Sequence, residues 1–245
     1  MSKRLLAFIV FLLPVELIGQ FHTIGTARLM DGGCVLLTPD EPYSEGIAYS
    51  TTFLNLDYDF QIEFDIYLGN KNDFGADGIT FVIHNDPRGF EAFGTFGECL
   101  GYGRWAPEAE YSAFISPSIA IEFDTYYNPV QNDPTSDHIA FLMNGISRHE
   151  TFWNNDDELF DIEDDNLHNF QFLWQAASKK ITVLLDYNIV YEGTHNLKSE
   201  IFQNESRVIW GFTASTGRKY NLQYFCLKRM AQNKAEEEIF YTKSK

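Results

Sequence analysis

The sequence has few cysteines, and no two of them have the spacing of a metal or redox motif. Its 245 residues contain three, Cys34, Cys99 and Cys226, and no C-x-x-C occurs. This absence excludes a zinc ribbon and a thioredoxin-like motif. Three thiols also allow at most one disulfide within the chain.

Positive charge is scarce as well. The 18 lysines and arginines are outnumbered by 35 aspartates and glutamates, which gives a formal net charge of −17. An acidic surface repels phosphate backbones, so we expect no nucleic-acid partner. The excess of carboxylates is compatible both with simple solubility and with cation binding, and charge alone does not separate the two.

Long apolar runs are missing beyond the first twenty residues. An unbroken apolar run, Leu5–Leu13, follows Lys3 and Arg4. It is far shorter than the ~20 residues needed to span a bilayer. With the small residue Gly19 behind it, the pattern predicts a cleaved signal peptide over residues 1–19 and no membrane span. The mature protein is then expected to be secreted, outside the cell or in the periplasm.

Helical periodicity is absent too, and alternation of apolar and polar residues takes its place. Every second side chain is apolar in residues 60–66, and residues 79–83 form a continuous apolar run typical of a central strand. Similar patterns mark strands at 119–123, 139–143, 170–174, 181–185, 189–191, 208–212 and 222–227. Many strands without intervening helices predict an all-β fold, an antiparallel sandwich or barrel. Because terminal strands of a sandwich often lie side by side, we expect Cys34 to pair with Cys226.

The most informative segment is an acidic one between two predicted strands. Glu122 and Asp124 are two residues apart on a strand, so they share one face while Phe123 faces the core. Asp133 and His138 follow in a loop with two prolines. A mixture of carboxylate and imidazole donors suits Mn²⁺ or another transition metal.

A second set of donors in the same loop consists of hard oxygens. Asp124, Asn128, Asp133 and one backbone carbonyl suit Ca²⁺, and two of these carboxylates can bridge both ions. The glycine and the final glutamate of an EF-hand loop are missing, which excludes that motif. A solvated acidic loop is the plain alternative, and composition alone leaves it open.

The spacing E-x-D-x-Y-x-N, followed by D and H, resembles the metal-binding loop of the legume-type (L-type) lectins. The resemblance implies a transition metal held by Glu122, Asp124, Asp133 and His138. It implies calcium held by Asp124, the Tyr126 carbonyl, Asn128 and Asp133. It also implies a concanavalin-like jelly roll, an antiparallel β-sandwich, over residues 20–228. Residues 229–245 would then be a polar C-terminal tail.

Gly75–Phe81 is similar to the loop that carries the sugar-binding aspartate of this family. The similarity implies a cis peptide bond before Asp77, whose carboxylate would accept two sugar hydroxyl groups. It implies that the Asn128 amide donates to another hydroxyl and that the Tyr126 ring covers the apolar face of the sugar. Tyr127 is the alternative to Tyr126 for this last role.

A glycine-rich stretch, Gly94–Gly103, resembles more weakly the family loop that gives a backbone N–H to the sugar. Gly97 and Glu98 stand where the family usually has two glycines. The resemblance implies a donor at Gly97, Glu98 or Cys99. The Glu98 side chain departs from the family pattern and would alter the approach of the sugar or narrow the pocket.

Two further stretches resemble parts of the same family. Gly211–Gly217 is similar to the strand before the variable specificity loop, which here would be residues 218–221. Asn85–Gly89 resembles the bacterial branch of the family more than the plant branch. Neither stretch identifies the sugar.

Taken as a family member, the protein is expected to be a lectin that binds glycans reversibly, without catalysis. A shallow site for one sugar typically gives millimolar binding, about −4 kcal/mol. Useful avidity would then need several sites, through a homo-oligomer or a multivalent glycan. The sequence leaves the oligomeric state open.

Two other functions stay open from the sequence. A sandwich glycosidase of the retaining kind needs two carboxyl groups about 5–5.5 Å apart. Glu122 and Asp124 begin the corresponding Glu-x-Asp-x-Glu pattern, but Tyr126 stands in place of the second glutamate. The other is an adhesion or structural module with a vestigial sugar pocket, and Glu98 is the residue that favours it.

Overall fold

A computed structural model describes residues 21–106, 112–148 and 160–232 of the chain. The predicted signal peptide and residues 233–245 of the predicted tail lie outside these ranges. The described strands are β1 Phe21–Gly25, β2 Arg28–Leu29, β3 Cys34–Thr38, β4 Glu45–Ser50, β5 Leu54–Asn55, β6 Phe60–Tyr67, β7 Gly78–His84, β8 Ser118–Asp124, β9 His138–Met143, β10 His168–Gln175, β11 Lys180–Leu185, β12 Asn188–Thr194, β13 Arg207–Ser215 and β14 Gln223–Gln232. The described helices are short: α1 Leu197–Glu200 and the 3-10 turns Asp31–Gly33, Asn72–Phe74, Gly89–Glu91 and Pro129–Gln131. Within the described ranges, no helix has the length and apolar character needed to cross a membrane.

The strands form two sheets that pack face to face. The front sheet has the order β1-β4-β13-β7-β8-β9, with β5 beside β13, and the back sheet has the order β12-β11-β10-β6-β14-β3-β2. Neighbouring strands are antiparallel in both sheets. The predicted antiparallel β-sandwich is therefore confirmed, and the alternative prediction of a closed barrel is wrong.

Aromatic side chains from both sheets fill the space between them. The ring centroids of Phe64 on β6 and Phe212 on β13 are 4.9 Å apart. Those of Phe81 on β7 and Phe170 on β10 are 5.3 Å apart. All four rings are buried, and each buried phenylalanine stabilises the fold by roughly 1.5–3 kcal/mol. This core accounts for the abundance of phenylalanine in the sequence.

A second apolar cluster lies on the opposite face of the front sheet. Val82 of β7 and Ala120 of β8 pack there against Tyr102 and Ile115, which come from the loops that cover this face. The Tyr102 hydroxyl accepts a hydrogen bond from the Gly145 N–H at 3.1 Å. Strands β7 and β8 are thus buried on both faces, which explains their continuous apolar sequences.

The sequence patterns miss the first five strands. Strand β4 has five buried residues out of six, so its sequence EGIAYS shows neither alternation nor a long apolar run. Strands β2 and β5 have two residues each, which is too short for any pattern. The pairing of these strands with β13 and β3, and not a local sequence pattern, accounts for their formation.

The last strand continues beyond residue 228, where the sequence predicts that the domain ends. Strand β14 runs to Gln232 and pairs Met230 with Ile62 of β6. Its register shifts between Leu227 and Arg229, which marks a β-bulge that breaks the alternation of inward and outward side chains. The polar sequence of this segment is therefore typical of a tail, although residues 229–232 belong to strand β14 of the sandwich.

Cys34 and Cys226 form a disulfide, as expected. They are register partners on the adjacent strands β3 and β14. Their separation in sequence is 192 residues, so the bond joins the first and last parts of the domain. Cys99 is a free and buried cysteine.

Candidate functional site: a metal loop beside a sugar cavity

The acidic segment leaves the front sheet on β8 and returns on β9. Glu122 and Asp124 are buried on the face of β8 opposite Phe123, whose ring packs in the core between the sheets. Asp124 and His138 are register partners across the pair of strands. Antiparallel pairing therefore brings the two ends of the loop together.

Three of the four residues predicted to hold a transition metal form one cluster. One ligand atom from each of Asp124, Asp133 and His138 lies within 4.8 Å of the others. The His138 Nε2 is 3.8 Å from the Asp133 Oδ1. Glu122 lies outside this group of three but close enough for the charge of Asp133 to raise its pKa, in addition to the larger effect of burial.

The oxygen donors predicted for calcium lie in the same loop. The Asn128 N–H donates to the Asp133 Oδ2 at 2.6 Å, and the Tyr126 N–H donates to the Asp124 Oδ1 at 2.7 Å. The Asn128 Oδ1 is buried and accepts no hydrogen bond from the described residues. A buried amide oxygen of this kind, on a residue bonded to the Asp133 carboxylate, fits the ligand chemistry of a hard cation.

The loop concentrates negative charge where water is excluded. Burial raises the pKa of Glu122 and Asp124 well above the usual range, and the neighbouring carboxylates raise both further. Burial also raises the pKa of Asp133 to about 7, although the hydrogen bond from the Asn128 N–H lowers it. Crowded carboxylates favour their neutral forms unless a cation lies among them. The concentration of negative charge therefore fits a bound cation, as the chemistry of the donor atoms does.

Asp77 lies directly before β7 and follows a cis peptide bond from Ala76. Its carbonyl oxygen accepts from the Thr125 N–H at 3.0 Å, and its N–H donates to the Ser215 carbonyl at 3.2 Å. The residue is 5 % exposed, and its Oδ2 has no hydrogen-bond partner in the described part of the chain. Burial, and to a smaller degree the charge of Glu98, raises the pKa of Asp77 to about 7.

Gly78 permits the close contact between the Asp77 loop and strand β8. A Cβ atom at position 78 would lie 2.2 Å from the Phe123 carbonyl oxygen, and φ is 144° there. Only glycine tolerates both conditions. The backbone of β7 can therefore approach β8 closely enough to place Asp77 beside the loop from Asp124 to His138, here called the metal loop.

A cavity of about 340 Å³, here called the sugar cavity, has Asp77 in its wall. Four of the five residues predicted to bind sugar line it: Asp77, Gly97, Glu98 and Tyr126. Asn128, the fifth, is not among its lining residues and lies with the carboxylates of the loop. The Gly97 carbonyl accepts from the Ser215 hydroxyl at 2.9 Å, which fixes the glycine-rich stretch against β13.

The ring of Tyr126 has a cation over one face. The Lys219 ammonium is 5.2 Å from its centroid, a cation–π contact. The stacking role implied for Tyr126 therefore requires the sugar to take the opposite face or to displace Lys219. Tyr127 does not line the sugar cavity, so of the two tyrosines only Tyr126 lies there.

Several residues of this cavity have no individual signal in the sequence. They are Phe96, Trp105, Gly217, Arg218 and Lys219. Arg218 and Lys219 fall in the predicted specificity loop, and Phe96 falls in the glycine-rich stretch. The sequence therefore predicts that these segments lie at the site, but not which of their side chains line the cavity. Trp105 lies just past that stretch, and its only signal is a large aromatic residue next to a glycine-rich loop.

A larger cavity of about 810 Å³ adjoins the sugar cavity, since Tyr126 and Lys219 line both. It is lined by four carboxylates, Asp73, Asp137, Asp161 and Glu163. Burial, then the charge of Asp137, raises the pKa of Glu163 to about 8. Of the residues predicted to bind sugar, only Tyr126 and its alternative Tyr127 line this cavity, and Asp77 does not. The greater volume of this cavity therefore does not make it the better candidate.

A β-sandwich with Asp77 hydrogen-bonded to the end of an acidic metal loop is the arrangement that the sequence resemblance implied. The model of the legume lectin beta-barrel domain family matches residues 15–229 of this chain. That is most of the chain, which therefore belongs to the L-type lectin family.

Individual relatives agree with this assignment. Lectin-4 of Griffonia simplicifolia is 33 % identical over 129 residues, which cover 52 % of this chain and 49 % of that protein. The alpha-methyl-mannoside-specific lectin of Arachis hypogaea is 29 % identical over 167 residues, which cover 66 % of this chain and 55 % of that protein. The chain thus spans about half the length of these two curated relatives.

A solved structure reproduces the fold. The lectin from Bauhinia forficata in complex with GalNAc matches with a TM-score of 0.70 and 20 % identity, over 89 % of this chain and 95 % of that chain. At this identity the likeness establishes the sandwich and nothing finer. The named relatives are lectins and not enzymes, which agrees with the expected absence of catalysis.

Proposed function

We propose that this protein binds glycans reversibly by holding one sugar residue in the sugar cavity. The observation that carries the proposal is the Asp77 carboxylate, which is buried, lines the cavity and has an oxygen without a hydrogen-bond partner in the described part of the chain. A buried acceptor left unpaired costs about 1–3 kcal/mol, and a sugar hydroxyl would satisfy it. The family of the chain and the GalNAc bound to the Bauhinia forficata lectin support the same function.

We further propose that the metal loop holds two ions, Ca²⁺ and Mn²⁺ or another transition metal. The donors for calcium are Asp124, Asn128, Asp133 and the Tyr126 carbonyl, and those for the transition metal are Glu122, Asp124, Asp133 and His138. When bound, the ions supply positive charge that keeps the buried carboxylates ionised. The chain itself then orients the Asn128 amide and, through Thr125, the Asp77 loop.

Hydrolysis of the glycan is not favoured. Glu122 and Asp124, the two residues that begin a glycosidase-like pattern, are buried in the metal loop and line neither the 340 Å³ nor the 810 Å³ cavity. A catalytic acid and a nucleophile must both reach the glycosidic bond.

A vestigial pocket is the second candidate, and Glu98 is the observation that favours it. The side chain lines the sugar cavity, and its charge contributes to the raised pKa of Asp77. A protonated Asp77 would accept one hydroxyl fewer than the carboxylate does. An adhesion module that has lost sugar binding could carry such a residue.

We also propose that the protein is exported, that it belongs to the bacterial branch of the family and that it forms a homo-oligomer. Export past the signal peptide agrees with the disulfide between Cys34 and Cys226, because disulfides persist in oxidising compartments. Membership of the bacterial branch rests on the stretch Asn85–Gly89. A homo-oligomer would supply the avidity that one shallow site lacks, and light scattering of the purified protein measures it.

A glycan array probed with the purified protein tests the proposed function. The array is run with Ca²⁺ and Mn²⁺ and again with a chelator. Binding to defined glycans that disappears with chelator supports a metal-dependent lectin. An absence of binding by folded, metal-loaded protein would contradict the proposal and favour the vestigial pocket.

A further inference from the structure

A cavity of about 710 Å³, here called the distal cavity, lies at the end of the front sheet that is remote from the metal loop. Its lining includes Pro87 after β7, Pro117 before β8 and Asn144 after β9. Asp77 and the metal loop lie at the opposite ends of these three strands. Strands β7 and β8 have seven residues each, so about 20 Å separates the two ends. The distal cavity shares no described lining residue with the sugar cavity or with the 810 Å³ cavity.

Arg104 is the only cation among the described residues that line the distal cavity. Its guanidinium lies 4.1 Å from the centroid of the Phe114 ring, and its main-chain N–H donates to the Gly145 carbonyl at 3.0 Å. The side-chain Nε is buried without a hydrogen-bond partner, and no described carboxylate forms an ion pair with the guanidinium. Acidic residues outnumber basic ones by 35 to 18 in this chain, so an arginine without a carboxylate partner requires an explanation.

The ring beneath Arg104 is held in place by a second arginine. The Arg88 Nη2 donates to the Phe114 carbonyl at 2.5 Å, and Asp86 accepts two hydrogen bonds of 2.8 Å from the same guanidinium. Asp86 also accepts from the Ser116 N–H at 3.0 Å. Arg88 is thus paired within the fold, whereas Arg104 is positioned by the fold and left unpaired. A preorganised group of this kind loses little entropy when a ligand binds.

Neutral polar groups and apolar surface make up most of the remaining lining. Ser116, Asn144 and Gln203 contribute a hydroxyl and two amides, which donate and accept as sugar hydroxyls do. Glu200, the one acidic residue of the described lining, is exposed and forms no ion pair with Arg104. Apolar surface with a few polar groups is typical of small-ligand sites. The apolar lining residues are Pro87, Phe114, Pro117, Ile146 and Ile201.

We propose that the distal cavity is a second glycan site, whose ligand is an acidic sugar with one carboxylate, such as a uronic acid. The guanidinium presents paired N–H groups that match the two oxygens of a carboxylate. The three neutral polar side chains then bind ring hydroxyls, which favours a sugar over a peptide carboxylate. The site needs neither Asp77 nor the metal ions. With one site at each end of the sandwich, a single chain joins two glycans, so avidity does not depend on an oligomer.

Calorimetric titration of the full, metal-loaded protein at constant ionic strength tests the distal site. The probes are glucuronate and galacturonate, their neutral counterparts glucose and galactose, and acetate as a carboxylate alone. We expect at least one uronate to bind with millimolar affinity, at least tenfold more tightly than acetate. Arg104→Gln should weaken this binding at least tenfold and leave the binding of neutral glycans unchanged. Arg104→Lys keeps the charge but loses the paired N–H groups, so it should restore only part of the affinity.

Two further variants separate the charge of the cavity from a general effect of substitution. Glu200→Gln removes the negative charge that faces the ligand and should raise uronate affinity severalfold. Arg207→Gln is the matched control, because the Arg207 guanidinium also stacks on a phenylalanine, 3.5 Å from the centroid of the Phe53 ring. Arg207 is exposed on β13 and does not line the distal cavity, so its substitution should leave uronate affinity unchanged.

The outcomes distinguish this inference from the proposed function. Uronate affinity that is equal in the parent and in Arg104→Gln, or no uronate binding by the parent, would overturn the distal site and leave the sugar cavity untouched. Uronate binding that is lost in Asp77→Ala and kept in Arg104→Gln would place the uronate in the sugar cavity. Acetate that binds as tightly as the uronate would contradict a sugar ligand. Uronate binding that depends on Arg104, in a protein that binds no neutral glycan, would support the distal site and contradict the proposed function.

Discussion

The Thr125 N–H donates a hydrogen bond to the Asp77 carbonyl oxygen at 3.0 Å. Thr125 directly follows the metal-loop residue Asp124, so this bond connects the metal loop to the residue proposed to bind the sugar. Gly78 allows the two strands to approach closely enough for the contact. Because of this connection, we expect sugar affinity to depend on the order of the metal loop.

Two substitutions should separate the roles of the connected loops. Asp77→Ala removes the buried acceptor and should abolish sugar binding while calcium binding and the fold persist. Asn128→Ala should weaken both calcium and sugar binding, because its amide oxygen lies among the metal donors. Calcium titration, sugar titration and thermal unfolding of each variant check these expectations. Asp31→Ala, at an exposed position before β3, is the control. If Asp77→Ala bound sugar as the parent does, the assignment of the cavity would be wrong.

Removal of the ions should destabilise the protein. A ligand that binds only the folded state at about 100 times its Kd stabilises that state by about 2.7 kcal/mol. Chelation should therefore lower the melting temperature by several degrees, and added Ca²⁺ and Mn²⁺ should restore it. Differential scanning calorimetry measures the change. His138→Ala should reduce the response to Mn²⁺, and an unchanged response would exclude His138 as a ligand.

Removal of the Glu98 charge should strengthen sugar binding. Glu98→Ala keeps the backbone N–H, widens the sugar cavity and removes a charge that opposes ionisation of Asp77. We expect a severalfold rise in sugar affinity at pH 7, measured by calorimetry. A fall in affinity would instead mean that the Glu98 carboxylate itself accepts a hydrogen bond from the sugar. Glu98→Gln separates the loss of charge from the loss of volume.

Glu163 should make stability fall as the pH rises. Burial raises its pKa in the folded protein from the ordinary 4.5 to about 8. The folded state therefore holds this proton more tightly than the unfolded chain does, and stability is lost as the pH rises between these values. Glu163→Gln cannot ionise, and its side-chain oxygen can still accept a hydrogen bond from Asn221.

The loss of unfolding free energy from pH 6 to 8.5 should be roughly 1–3 kcal/mol smaller in Glu163→Gln than in the parent. Denaturation with saturating Ca²⁺ and Mn²⁺ measures it, and parallel profiles for the two proteins would contradict the prediction.

Loss of the disulfide should destabilise the domain without changing the site. The bond joins residues 192 apart, and a cross-link over a long loop typically contributes 2–4 kcal/mol. Replacement of both Cys34 and Cys226 by alanine should lower the free energy of unfolding by about that amount. Sugar affinity should stay unchanged, because β3 and β14 lie in the back sheet. A stability equal to that of the parent would show that the bond is not formed in solution.

Strands with a strong hydrophobic pattern and motifs with fixed spacing could be predicted from the sequence. Strand β6 alternates as predicted, and β7 and β8 are continuous apolar runs because a second apolar cluster covers the front sheet. The metal loop could be identified because its donors follow one another along the chain. The pairing of β8 with β9 then brings them together.

What the sequence could not provide depends on contacts between distant segments. The end of the domain is one example. The β14 bulge interrupts the alternation of apolar and polar residues, and this bulge results from pairing with β6. Trp105 belongs to no periodic pattern, and only the folded loops place it at the sugar cavity. Asn128 likewise lies outside the cavity lining, and its N–H bonds to the Asp133 carboxylate, a contact that the sequence does not reveal.

The most direct test is calorimetric titration of the strongest array glycan into the parent and into Asp77→Ala, with Ca²⁺ and Mn²⁺ and with chelator. We expect millimolar or tighter binding by the metal-loaded parent, and no binding by the chelated parent or by the folded variant. Equal binding by parent and variant, or binding that survives chelation, would contradict a metal-dependent sugar site at Asp77.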